Sequence, residues 1–134
     1  MSSVPENKPT VVFLSTYPPR ECGIATFTQD LFHSCQKILG QGIDCKVAAL
    51  NVSPLDTYKY PSEVEWEIDQ NNKEDYLNLA KTINENPHIS GVILQHEYGI
   101  FGGIDGENIL IFMRSCKKPI LVTLHTALPF PRDQ

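Results

Sequence analysis

The chain has 134 residues, enough for one domain of ordinary size, and its 41% hydrophobic and 20% charged residues are normal for a globular protein. A net charge of −5 gives no footprint for nucleic acid or an anionic membrane, and no apolar run approaches the length needed to span a bilayer. Residues 1–10 (MSSVPENKPT) are polar, hold two prolines and lack the apolar stretch of a signal peptide, so they read as a flexible tail on a cytoplasmic protein.

The first predicted element is a strand over 11–16 (VVFLST), an apolar and β-branched run of the kind buried on both faces. Tyr17-Pro18-Pro19 stops it. A helix over 24–39 follows, with Ile24, Phe27, Leu31, Cys35, Ile38 and Leu39 on one stripe, and Gly40 and Gly42 end it. Residues 43–50 read as a second strand and 51–62, with two prolines, as a loop. Residues 64–68 alternate and form a weaker strand. A helix over 73–84 turns Tyr76, Leu77, Ala80 and Ile83 inward. Residues 91–96 (GVILQH) are a buried strand, 105–115 a third helix capped by Asp105, and 119–125 (PILVTLH) the last strand.

This alternation is an α/β pattern. Right-handed crossovers make it a Rossmann-like three-layer sandwich with a mostly parallel sheet. Residues 11–130 form the one domain, with 131–134 a short end piece. Cys22, Cys35, Cys45 and Cys116 stand far apart with no C-x-x-C pair, and are expected to be reduced thiols.

In such sheets ligands bind beyond the carboxyl ends of the strands, near the point where strand order reverses. Three turns lie there. The first, 15–23 (STYPPRECG), leads into a helix start whose free N–H groups could hold a diphosphate, with Gly23 allowing close approach. Gly23 could equally serve only a sharp turn. Neither G-x-G-x-x-G nor a P-loop is present. The second turn, 95–103 (QHEYGIFGG), brings Gln95, His96 and Glu97 to a strand end, followed by glycines and two aromatic rings. That composition suits a carbohydrate, or else a His–Glu pair that merely fastens the loop. The third turn carries His125, which could be structural or a general base near neutral pH. A zinc site of Cys22, His96, Glu97 and His125 has suitable ligand types but no local spacing motif, so no metal is expected. A serine hydrolase is disfavoured by the lack of a G-x-S-x-G elbow.

Three stretches, 13–31 (FLSTYPPRECGIATFTQDL), 92–103 (VILQHEYGIFGG) and 118–129 (KPILVTLHTALP), together resemble the N-terminal domain of GT-B glycosyltransferases of family 4, also labelled group 1. The resemblance covers nearly all of 11–130. It implies a hexosyltransferase-type enzyme with its active site between two Rossmann-like domains, the first receiving a carbohydrate or small-molecule acceptor. The second domain would hold the nucleotide-diphosphate sugar, the donor substrate, and no other cofactor is implied. By the same resemblance Gly23 lies near the donor diphosphate and His125 is the catalytic cleft residue. Gln95, His96, Glu97, Gly102 and Gly103 line the acceptor pocket. Many relatives have two glycines where this chain has Cys22-Gly23. The family's Glu-x7-Glu donor motif is absent, so the chain is expected to be a truncated half, inactive alone and prone to form a homo-oligomer. The competing reading is a non-catalytic Rossmann-like binding or scaffold module.

Overall fold

The computed structural model describes residues 8–55 and 57–127. They form strands β1 (Thr10–Ser15), β2 (Asp44–Asn51), β3 (Val64–Asp69), β4 (Ile89–His96) and β5 (Ile120–Leu124), and helices α1 (Gly23–Leu39), α2 (Lys73–Glu85) and α3 (Ile109–Ser115). Two short 3-10 turns, Tyr98–Ile100 and Ile104–Gly106, join β4 to α3. The sheet order is β3-β2-β1-β4-β5 and every pairing is parallel. The sheet is therefore the Rossmann-like α/β arrangement expected, and strand order reverses between β1 and β4. No helix among the described residues is long and apolar enough to cross a membrane.

Side-chain alternation along the strands divides the core in two. Val12 and Leu14 of β1, Ala48 and Leu50 of β2, and Val92 and Leu94 of β4 pack on Tyr76, Leu79, Ala80 and Ile83 of α2 and on Ile109 and Phe112 of α3. On the opposite face Phe13, Tyr17, Cys45, Val47 and Ala49 pack against Phe32 of α1, with Phe32 edge-on to both Phe13 and Tyr17. The β2–β3 connection has no helix among its described residues, and Tyr60 from it fills the α1 layer.

Several expectations are corrected. On α1, Ile24, Leu31 and Cys35 pack against the core as expected, but the fully buried residues are Ala25, Thr28 and Phe32, while Phe27 is 45% and Ile38 80% exposed. Thr28 is buried because its hydroxyl bonds both Ile24 O and Ser15 Oγ, which draws that side of the helix onto β1. On α2, Leu79 takes the inward place expected for Leu77. The third helix starts at Ile109, and Asp105 lies in the preceding turn with φ of 53°, so it is no cap of α3. The expected tail is shorter than ten residues. Thr10 already pairs in β1, Pro9 O accepts from Asp44 N, and Lys8 Nζ donates to Gly40 O, while residues 1–7 and the end piece 131–134 lie outside the described residues. All four cysteines are unpaired.

Strand β5 is a sheet edge. Its Ile120 and Val122 join the α2–α3 core, while Leu121 on the opposite face is 66% exposed and Leu124 at the strand end is 63% exposed.

Candidate functional site

Each candidate residue reaches the carboxyl edge of the sheet because its strand ends there. Gly23 is the first residue of α1, at the end of the turn after β1. Cys22 caps the helix: its Sγ accepts from Ala25 N at 3.4 Å and lies 3.1 Å from Thr16 Oγ1. Gly23 does not have positive φ, and a Cβ there would meet nothing within 4 Å. The turn itself thus makes no demand for glycine, and the space above the helix start is open. The Pro18–Pro19 peptide is cis.

His125, just past β5, donates its backbone N–H to His96 O at 3.0 Å. Its ring lies edge-on to Phe27 at 4.7 Å, which explains why that phenylalanine is turned away from the helix core stripe. Nε2 of His125 is 2.7 Å from Gln95 Oε1. With the Gln95 amide oxygen as the acceptor, Nε2 is the donor of this bond. Gln95 has no exposed surface, and its Nε2 has no partner among the described residues. The residue expected to touch substrate instead sits beneath His125 and orients it.

His96 and Glu97 follow on the same strand end. The His96 ring is stacked on Phe101 at 5.7 Å and edge-on to Tyr98 at 5.1 Å. Burial lowers its pKa from the ordinary value, against the opposing pull of Glu97, and nearby His125 lowers it further. Glu97 is held at both oxygens: Oε2 accepts from Thr126 Oγ1 at 2.7 Å and Oε1 from Tyr98 N at 2.9 Å. The Thr126 bond leads the causes that hold its pKa below the usual carboxylate value, so Glu97 is ionised at neutral pH.

Beyond Glu97 the chain folds over a cleft of about 550 Å3, whose walls include Gln70, Glu97, Tyr98, Phe101, Gly103 and Thr126. The hub of this wall is Gln70, just after β3. Its carbonyl oxygen accepts from Gly102 N at 2.9 Å, Tyr76 Oη at 2.8 Å and Asn108 Nδ2 at 3.4 Å. Its side-chain Oε1 accepts from Arg20 Nη1 at 3.0 Å, and the same nitrogen donates to Leu50 O at 2.9 Å. Gly102 must be glycine, because a Cβ would stand 2.2 Å from Gln70 O. Gly103 and Gly106 have φ of 84° and 77°, the left-handed region that favours glycine.

Of the expected residues, Glu97, Gly102 and Gly103 line this cleft; Gln95 and His125 form a bonded pair on the α1 face beside it; Gly23 stands apart at the α1 start. Gln70, Arg20 and Asn108 were not expected. Gln70 sits in an undifferentiated polar run (DQNNK), and nothing local marks a backbone carbonyl as a hub. Arg20 carried a weak signal as the one basic residue of the first turn. Among the described residues no group of three or more His, Cys, Asp or Glu could hold a metal ion.

The lowered pKa of His96 has a definite sign. The folded state binds its proton less readily than the unfolded chain, so its contribution favours folding above the ordinary pKa of 6.5 and is lost as pH falls below it. His96→Phe keeps an aromatic ring between Tyr98 and Phe101. We expect it to flatten the loss of stability between pH 7 and 5, read from urea midpoints at the two pH values. Equal slopes for the two proteins would count against this role.

No protein-family model matches the chain, and no curated protein matches it.

Proposed function

We propose that the chain is the acceptor-side half of a glycosyltransferase, which moves a sugar from a nucleotide-diphosphate sugar to a hydroxyl of a carbohydrate or small-molecule acceptor. The observation that carries this reading is the meeting of β4 and β5 ends beside the strand-order reversal, where a His125 bonded to Gln95 stands next to a polar cleft. In this reading His125 Nδ1 takes the acceptor proton, and Glu97 with the Gly102–Gly103 segment orients the acceptor. The open start of α1 at Gly23 offers N–H groups to the departing diphosphate. Donor binding rests mainly on a second domain, so the chain alone transfers no sugar. The motif resemblance of the three turns supports the same reading.

The test is made in the source cells. Deleting the gene is expected to remove a glycoconjugate from the mass-spectrometric glycan profile, and His125→Ala at the chromosomal locus is expected to reproduce that loss. A changed profile on deletion with an unchanged one in His125→Ala favours a non-catalytic module. No change in either overturns the reading.

A further inference from the structure

The cleft beside Glu97 is rich in hydrogen-bond acceptors and poor in cations, and this sets the chemistry of what it can take. The Glu97 carboxylate is ionised and fixed by Thr126 Oγ1 and Tyr98 N, one bond to each oxygen. A carboxylate has about four lone-pair sites, so acceptor capacity remains on both oxygens. Asn108 is 3% exposed and is not part of the cleft wall; its Nδ2 donates to Gln70 O and so helps hold the Gly102–Gly103 segment that forms the wall.

The charges agree. The cleft-lining residues include Glu97 and Asp105 but no lysine or arginine. The basic group linked to the wall is Arg20, and its Nη1 is committed to Gln70 Oε1 and Leu50 O. Tyr98 lines the same cleft, and the C–H face of a sugar or cyclitol can lie against an aromatic ring; Phe101 is buried, with its ring stacked on His96.

We infer that this cleft binds an unphosphorylated polyhydroxylated ligand, a sugar or cyclitol whose hydroxyls donate to Glu97, and that it rejects the phosphorylated form of the same ring. The inference rests on the acceptor-side reading above and sharpens it. A phosphate brings no donors near neutral pH and sets like charge against Glu97.

The test uses the whole chain, labelled with 15N. Glucose, mannose, galactose and myo-inositol are titrated separately, each against its own monophosphate, while the amide signals of Gly102, Gly103 and Thr126 are followed. At least one unphosphorylated ring is expected to shift these signals, with its monophosphate ~10-fold or more weaker at low salt. Glu97→Gln is expected to narrow that gap, since its oxygen can still accept from Tyr98 N and its nitrogen can donate to Thr126 Oγ1, while the charge is removed. A monophosphate that binds as tightly as its parent overturns the inference and leaves the glycosyltransferase reading standing. Absence of any shift at these amides from all eight ligands at 50 mM, about the weakest binding worth counting, overturns the inference and removes the cleft from the proposed acceptor site.

Discussion

Gly102→Ala is expected to destabilise the protein by ~3 kcal/mol or more, the upper end of what an overpacked site costs. The added Cβ would stand 2.2 Å from Gln70 O and 2.7 Å from both Asn108 Nδ2 and Asn71 Oδ1. The first of these is backbone, held from three sides by Gly102 N, Tyr76 Oη and Asn108 Nδ2, and cannot swing away as a flexible side chain would. Relief requires the 98–106 segment to lift, which breaks the Gly102 N–H bond to Gln70 O and exposes the edge of the α2–α3 core at Ile100 and Phe101. The cleft closes or opens with the same movement, so ligand binding should fall with stability. Gly99→Ala is the matched control: it lies in the same segment, and its Cβ would meet nothing within 4 Å. Its urea midpoint should move by no more than about 0.5 kcal/mol equivalent. Similar midpoints for the two variants would show that the segment is far more pliable than its bonding implies.

Gly23→Ala makes a useful contrast with both. It sits at the first position of α1 with open space above it, where alanine is the better helix former. The geometry therefore gives no structural reason for glycine.

The order of elements was legible in the sequence because most strands are apolar runs and turn signals close the elements, as Tyr17-Pro18-Pro19 does after β1 and Gly40 after α1. The carboxyl-edge placement of His96, Glu97 and His125 follows from that order alone. Which residues of α1 are fully buried was not legible. Hydrophobicity counted Phe27 and Ile38 and ignored Thr28, whereas the fold buries Thr28 through two hydrogen bonds and sends Phe27 to meet His125. The third helix was drawn too long for a related reason. The segment 104–108 is polar and could start a helix, but the left-handed φ of Asp105 and Gly106 breaks it, and the backbone bonds of Gly102 and Asn108 set the path. The Gln70 hub is tertiary throughout, since it joins residues 20, 50, 70, 76, 102 and 108. No window of sequence contains it.

On the proposed glycosyltransferase reading, His125→Ala is expected to lower kcat by ~10²-fold or more, the usual scale for a lost acid–base group. It is also expected to cost stability, contrary to the simple view of a cleft histidine that packs against little. The ring makes an edge contact with Phe27, and its Nε2–H is the partner of Gln95 Oε1, an atom with no route to solvent. Without it both ends of the buried Gln95 amide lack partners, at roughly 1–3 kcal/mol. Stability loss alone therefore cannot decide between a structural and a catalytic histidine, and a second variant is needed. Gln95→Met keeps the volume and the apolar contacts but removes the acceptor that holds Nε2 protonated. Its imidazole is then free to turn and to exchange tautomers, so kcat should fall while His125 itself remains. In the wild-type protein, 15N spectra of the ring should show a protonated Nε2 and an unprotonated Nδ1; in Gln95→Met the two forms should mix. If Gln95→Met mixes the tautomers yet leaves kcat unchanged, the Nδ1 lone pair takes no part in the reaction and His125 serves the fold alone.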